Sequence, residues 1–151
     1  MNKEVYFNKE AREKLILGIN KLNDCVSSTM GPNGKNVIIP DRSTGKYKVT
    51  KDGVSCAREV FFKDPIENIG AQLAKQAAEK TVEDAGDGTT TATVLTTAFV
   101  NNLKDFNSVD INKAFDEIIP KVIEQLKLNS RELKHEDIKH VASISANNDL
   151  Q

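Results

Sequence analysis

The segment Asp84–Thr97, with the sequence DAGDGTTTATVLTT, constrains the fold of the chain more than any other. Gly86 and Gly88 permit sharp turns and the close approach of a ligand to the main chain. Asp87 lies between them and offers a carboxylate, an oxygen ligand of the kind that Mg²⁺ prefers. Because helical spacing begins at Thr89, unpaired amides and the positive end of a helix dipole would follow the loop directly. The segment therefore predicts a phosphate site with a metal-binding acid beside it.

The same residues also fit a plain turn followed by a helix cap. Asp-Gly pairs are common in turns, and threonine is a common capping residue. Against this, the run Thr89–Thr91 suits a first helical turn poorly unless its hydroxyl groups serve a polar ligand. The loop is not a Walker A motif, because Thr29 and Pro40 stand where a first glycine is required before Lys35 and Lys46.

Composition argues against several classes of function. The 151 residues suit about one domain, and the net charge of −1 gives no basic footprint for nucleic acid. No apolar run is long enough for a membrane span, and the first residues lack the apolar stretch of a signal peptide. We therefore expect a cytoplasmic protein with free thiols at Cys25 and Cys56. His135 and His140 are interpreted as surface residues rather than metal ligands, because they face different sides of a helix.

The N-terminal third predicts a short strand and then a helix. Val5–Phe7 is rich in strand-forming residues, and Asn8 can cap the helix that follows. This helix should end near Thr29, because a Gly-Pro pair stops it two residues later. Four residues form its apolar stripe: Leu15, Ile19, Leu22 and Val26.

A hairpin is predicted next. Its strands are Asn36–Ile39 and Lys46–Thr50, and its turn is Asp41–Gly45. Together with Val5–Phe7 these strands are too few to close a sheet, so their edges require another subunit or another part of the chain. Asp52 follows in an Asp-Gly turn, where it could polarise a water molecule if the fold brings it to a phosphate.

A strong helix start lies at Asp64, the predicted cap, with Pro65 in the first helical position and Glu67 completing a capping box. One face of this helix is apolar, at Ile66, Ile69 and Leu73. A neighbouring face consists of small residues that allow another helix to approach closely: Gly70, Ala74, Ala77, Ala78, Thr81 and Ala85.

Further helices complete the prediction of a mainly α fold with four or five helices. The helix from Thr89 carries an apolar face and ends near Phe106-Asn107; the face consists of Val94, Leu95, Ala98, Phe99 and Leu103. Asp110 should cap the next helix, which is apolar over a wide arc to Leu126, and Pro120 should kink or divide it. A polar linker and a short last helix follow, at Asn129–Lys134 and Glu136–Val141.

Five motifs in a fixed order resemble the N-terminal part of a subunit of the group I (GroEL-type) chaperonin family. Each motif is weak alone, but their order and spacing together are specific, and the resemblance covers essentially the whole chain. The motifs are TMGPNGKN (29–36), VTKDGVSCAREV (49–60), ENIGAQL (67–73), AGDGTTTATVL (85–95) and ISANND (144–149).

The resemblance implies a helical equatorial-domain fold and an ATP-dependent protein-folding function. Residues 1–132 would form the N-terminal half of the equatorial ATP-binding domain, and 133–151 would begin the intermediate domain. Family subunits assemble into homo-oligomeric rings that enclose unfolded client proteins. The implied hairpin would pair with terminal strands of an adjacent subunit, and the use of a co-chaperonin stays open.

The resemblance also implies ATP, Mg²⁺ and K⁺ as cofactors and assigns residues to them. Asp52 would orient the attacking water, and Asp87 would hold Mg²⁺. The nucleotide and its phosphates would contact Thr29, Met30, Gly31, Pro32, Lys51, Asp87, Gly88, Thr89, Thr90 and Thr91. The K⁺ ion would be bound by Thr29, Lys51 and Thr90. Three separate turns would thus converge on one ligand.

Departures from the family pattern leave two alternatives open. Met30 replaces a usual leucine, Asn33 a usual basic residue, and Pro40 and Pro120 are unusual in their elements. The family's second half of the equatorial domain would lie beyond Gln151, so the segment alone should turn over little ATP. One alternative is a truncated, non-catalytic module that joins a ring. The other is a helical domain that has lost nucleotide binding, which the presence of Asp52, Asp87 and Thr89–Thr91 disfavours.

Overall fold

The computed structural model describes residues 5–40 and 45–145, without the side chains of Asn8 and Ser145. Within these residues the mainly α fold with one small hairpin is confirmed. The predicted turn at Asp41–Gly45 and the end of the ISANND run lie largely outside the described residues. The elements are α1 (Asn8–Ser27), β1 (Val37–Pro40), β2 (Tyr47–Thr50), α2 (Gly53–Glu59), α3 (Pro65–Ala85), α4 (Thr89–Leu103), α5 (Ser108–Asn129) and α6 (His135–Ser145).

Glycines on both partners bring α1 and α3 into close contact. A Cβ atom at Gly18 would overlap the carbonyl group of Glu67, and one at Gly70 would overlap the carbonyl group of Leu15. The predicted small-residue face of α3 is therefore confirmed at its centre, where Ala74 is also buried. The same face is exposed further along, at Ala77 and Ala85.

The hydrophobic core of the first unit lies along this helix contact. Three of the four predicted stripe residues of α1 are buried in it, and the helix ends at Ser27, slightly earlier than expected. Small side chains of α2 and α3 complete the core and keep the helices close. Its members are Ile19, Leu22, Val26, Ala57, Ala71 and Ala74.

Two ion pairs join α1 to the start of α3. Lys14 Nζ lies 3.0 Å from Asp64 Oδ2, and Lys21 Nζ lies 2.6 Å from Glu67 Oε2. Asp64 caps α3 as predicted, because its Oδ1 accepts hydrogen bonds from the amides of Ile66 and Glu67. The hydrogen bond from Lys14 holds the pKa of Asp64 below its ordinary value. Glu67 was predicted to complete a capping box, but its carboxylate binds Lys21 of α1 instead.

The buried face of α4 consists of threonines, and the apolar residues predicted for this helix lie on its less buried sides. Thr93 and Thr97 donate hydrogen bonds of 2.9 and 2.8 Å to the carbonyl groups one turn earlier, which lets their hydroxyls be buried at little cost. Leu95 and Phe99 are instead 52% and 50% exposed. One turn beyond Thr97, the side-chain amide of Asn101 donates to Asn20 Oδ1 of α1 over 2.7 Å.

The hairpin forms close to its predicted bounds. Val37 pairs with Thr50, and Pro40 pairs with Tyr47 at the end of the antiparallel ladder. Proline is tolerated there because the strand end leaves its missing donor unneeded. Val5–Phe7 forms no strand with a described residue of this chain, and Phe7 is extended at the start of α1. Its predicted pairing with an adjacent subunit stays a prediction.

The chain divides into two compact units, Met1–Asn102 and Leu103–Gln151. In the second unit α5 is continuous through Pro120, so the proline does not divide the helix. Asn107 caps it, through a 2.8 Å bond from the Val109 amide, rather than the predicted Asp110. The apolar residues of α5 stay solvent-accessible, since no described residue of the helix is buried. The predicted domain boundary after residue 132 stays a prediction.

No described helix combines the length and apolar character that crossing a membrane requires. The last helix, α6, begins one residue before its predicted start and runs on to Ser145. The predicted linker before it is non-helical over 130–134. A helix missing from the sequence prediction is α2, which follows the Asp52 turn.

The α1–α3 contact makes a testable prediction at Gly70. Alanine is the better helix former by up to about 1 kcal/mol, but its Cβ would meet the Leu15 carbonyl group. We expect Gly70→Ala to lower the free energy of unfolding by about 1–3 kcal/mol, as overpacking does. Chemical denaturation measures this, with Ala77→Val on the exposed side of the same helix as the control. A Gly70→Ala variant as stable as the wild type would contradict the close contact.

Candidate functional site

Three segments that carry predicted site residues meet at Gly53, the first residue of α2. A Cβ atom at this position would overlap Thr90 Oγ1 and would lie 3.1 Å from Thr29 Oγ1 and 3.3 Å from Val26 Cγ1. The end of α1, the start of α2 and the start of α4 are therefore in contact. Only a glycine fits between these side chains without moving them.

The Gly31–Gly34 loop packs against Thr29 and Lys51, next to this contact. Gly31 has a φ of 75°, a left-handed conformation that favours glycine, and its carbonyl accepts a 3.0 Å bond from the Gly34 amide. A Cβ at Gly34 would overlap the Thr29 carbonyl group and would lie 3.0 Å from Lys51 Cε. The loop after α1 and the end of β2 are thus held together, as the sequence analysis expected of residues at one site.

Thr29 is the buried member of its loop. It is 7% exposed, and its hydroxyl donates a 2.8 Å bond to the Val26 carbonyl. Met30 and Pro32 are exposed, as is the Lys51 side chain. The loop therefore presents its backbone and the side chains of Met30, Pro32 and Asn33 to solvent beside the buried threonine.

Asp52 is the N-cap of α2, a structural role that the sequence analysis did not identify. Its carboxylate caps α2 by accepting bonds from the amides of Val54 (3.1 Å) and Ser55 (2.9 Å). Ser55 Oγ donates a further bond of 2.7 Å to Asp52 Oδ2. Burial alone would raise the pKa of Asp52, but these hydrogen bonds outweigh burial and keep the pKa below its ordinary value. Asp52 is therefore an anion at neutral pH.

Lys75 of α3 holds the other end of α2. Its ammonium group donates bonds of 3.2 and 2.7 Å to the carbonyl oxygens of Arg58 and Val60. The side chain is 7% exposed, and burial lowers the pKa of Lys75. A cation at a helix C-terminus satisfies the last carbonyls and favours the helix dipole. Both ends of the short helix that carries Asp52 are therefore held.

Cys25 and Cys56 are both free thiols, as predicted, at the contact of α1 with α2. Burial raises the pKa of Cys56 to about 11, and the neighbouring Cys25 adds to the shift. Burial also raises the pKa of Cys25. Thiols with raised pKa values are poor nucleophiles, so neither cysteine suits chemistry at this site.

The Asp87 loop has the predicted conformation. Gly86 and Gly88 have φ angles of 77° and 101°, so both require the freedom of glycine. The Asp87 carboxylate accepts a 2.6 Å bond from the Gly88 amide, and its residue is exposed. The helix α4 begins at Thr89, directly after the loop. The start of this helix was correctly predicted.

The three threonines that open α4 point in different directions. Thr89 is 5% exposed, and its hydroxyl is buried without a hydrogen-bond partner. Thr90 contacts Gly53, and Thr91 is exposed. An unpaired buried hydroxyl lowers the free energy of unfolding by about 1–3 kcal/mol. A polar ligand that bonded to Thr89 would remove this penalty.

Sequence analysis missed Ser55 and Lys75 as residues of this region. Asp52 is a residue type favoured at helix N-caps, a signal that could have identified the start of α2. Nothing local marks Lys75, because its acceptors lie on another helix, at Arg58 and Val60.

The contact at Gly53 generates a prediction about local opening. In Gly53→Ala the new methyl group would separate the first turns of α2 and α4. We expect faster hydrogen exchange at the amides of Cys56 and Ala92, which bond to the carbonyls of Asp52 and Gly88. The control is Glu59→Ala, on the exposed side of α2. Unchanged protection of both amides in Gly53→Ala would contradict the contact.

Comparison with known proteins gives the family of the chain. Residues 22–151 match the TCP-1/cpn60 chaperonin family model. Two crystal structures of the chaperonin gp146 from bacteriophage EL 2 (Pseudomonas aeruginosa), solved in the presence of ATP-BeFx, are similar to the chain. Each is 32% identical over 95% of this chain, with TM-scores of 0.80 for crystal form II and 0.81 for crystal form I. The chain spans 26% of the length of that chaperonin. The match over residues 22–151 shows that the chain belongs to the TCP-1/cpn60 chaperonin family.

Proposed function

We propose that the chain is the phosphate- and metal-binding part of an ATP-dependent protein-folding chaperonin of the group I type. The contact of Thr29, Gly53 and Thr90 carries this proposal, because it gathers three loops that are far apart in the sequence. The likeness to a chaperonin solved with ATP-BeFx supports it. In this proposal the chain provides part of a site that further residues of a whole subunit complete.

The residues around the Gly53 contact fit the phosphates of a nucleoside triphosphate. The Thr89 hydroxyl is buried and has no partner, so a phosphate oxygen would satisfy it. The amides at the start of α4 and the positive end of its dipole suit an anion. Phosphate groups would contact Gly88 and the three following threonines, Thr89, Thr90 and Thr91. The remainder of the nucleotide would lie along the first loop, at Thr29, Met30, Gly31 and Pro32, with Lys51 nearby.

Two cations complete the proposed site. Asp87 would hold Mg²⁺, which typically binds one or two carboxylates together with phosphate oxygens. Thr29, Lys51 and Thr90 would hold K⁺, and the packing of the Thr29 carbonyl, Gly34 and Lys51 supports a shared location for the first two. The metal ions supply charge neutralisation for phosphoryl transfer when they are bound.

Asp52 would orient the attacking water. Its carboxylate stays ionised at neutral pH, because hydrogen bonds from Ser55 and Val54 outweigh the effect of burial on its pKa. It is held at the first turn of α2, next to the Gly53 contact. Positioning of this kind is the main task of a protein in phosphoryl transfer.

The whole protein would act on unfolded clients in a homo-oligomeric ring in the cytoplasm. The hairpin offers exposed apolar side chains and unpaired strand edges for a neighbouring subunit, at Ile38, Tyr47 and Val49. A second candidate is a non-catalytic module that joins a ring through this hairpin. Co-purification with a ring in the absence of ATP hydrolysis would favour that candidate.

Replacement of Asp87 tests the proposed site. We expect Asp87→Asn in the whole encoded protein to weaken Mg²⁺-dependent ATP binding by about tenfold or more, a change of about 1.4 kcal/mol. Isothermal titration with ATP, Mg²⁺ and K⁺ measures this affinity. The control is Asp84→Asn, an exposed carboxylate three positions earlier that should leave binding unchanged. Binding that is insensitive to both substitutions, or to Mg²⁺, would refute the assignment of Asp87.

A further inference from the structure

The hydroxyl group of Ser55 lies beside Asp52, whose pKa it helps to lower. It donates a 2.7 Å hydrogen bond to Asp52 Oδ2, shorter than either amide bond to the same carboxylate. Ser55 is half-buried in the first turn of α2, so this bond is shielded in part from competing water. A hydroxyl bonded to a carboxylate is a strong hydrogen bond because the acceptor is charged.

The hydrogen bonds distinguish the two oxygens of Asp52. Each carboxylate oxygen has about two acceptor positions. Oδ2 accepts from both the amide and the hydroxyl of Ser55, at 2.9 and 2.7 Å. Oδ1 accepts from the Val54 amide at 3.1 Å. The remaining acceptor position of the carboxylate is therefore on Oδ1.

We propose that Ser55 is a positioning residue for Asp52, which occupies Oδ2 and fixes the carboxylate so that Oδ1 receives the attacking water. This inference rests on the proposed function of the site. Without the hydroxyl, Oδ2 would regain an acceptor position, and a water molecule could bind in two places. The carboxylate would also lose one of the three hydrogen bonds that fix it, while the two amide bonds remain.

The role of Ser55 is separable from the stability of α2. The amides of Val54 and Ser55 would still bond to Asp52 in Ser55→Ala, so the helix cap would remain. Ser55→Thr keeps the hydroxyl and is the matched control. Alanine removes the hydroxyl donor, whereas threonine keeps the donor and adds only a methyl group.

Steady-state kinetics of ATP hydrolysis test the inference. In the whole encoded protein we expect Ser55→Ala to lower kcat for ATP by roughly tenfold while KM changes less than about twofold. Ser55→Thr should restore kcat to within about threefold of the wild type.

Each outcome decides the inference. An unchanged kcat in Ser55→Ala would overturn it, and would leave the proposed function intact. If the wild-type protein hydrolyses no ATP, the proposed function fails and the catalytic role of Ser55 fails with it. A loss of kcat in Ser55→Thr equal to that in Ser55→Ala would show that side-chain size, not the hydroxyl, matters.

Discussion

The close contact of α1 with α3 at Gly18 and Gly70 is the constraint on which the first unit of the structure depends. Both glycines face a backbone carbonyl group of the other helix, so neither position has room for a side chain. The core then requires small residues such as Ala71 and Ala74 beside larger ones of α1. Each helix leads into one loop of the candidate site, α1 at Thr29 and α3 at the Gly86 turn. The contact between the helices thus sets where the loops begin. At the point where the loops meet, Gly53 likewise allows a close contact that a side chain would prevent.

The polar groups of the candidate site differ in whether they have hydrogen-bond partners within the chain. Asp52 is held by three donors, which keep it ionised. The Thr29 hydroxyl is likewise satisfied within its own chain segment. Thr89 is the contrast, because its hydroxyl is buried and unpaired at the N-terminus of α4. The described site therefore combines a fixed acceptor at Asp52 with an unpaired donor at Thr89.

Sequence patterns predicted the long helices and the local geometry of the glycine loops. The stripe of α1, the cap at Asp64 and the start of α4 depend on neighbours within one or two turns, so the sequence contains them. The helix α2 was missed because its seven residues are too few to show periodicity. The buried threonine face of α4 was not identified, because hydroxyls become suited to burial only by bonding to carbonyls of their own helix, as at Thr93. The contacts at Gly53 join residues distant in the sequence, and only the resemblance to a family anticipated them.

The central claim is that loops from three parts of the chain surround one metal–nucleotide complex. Mn²⁺ can replace Mg²⁺ at carboxylate and phosphate oxygens, and it broadens the NMR signals of nearby nuclei. With Mn²⁺ and ATP bound to the whole encoded protein, we expect the strongest broadening at the amides of Gly31, Gly53, Asp87 and Thr90 together. Broadening confined to the Asp87 loop, with the signals of Gly31 and Gly53 unaffected, would contradict a shared site.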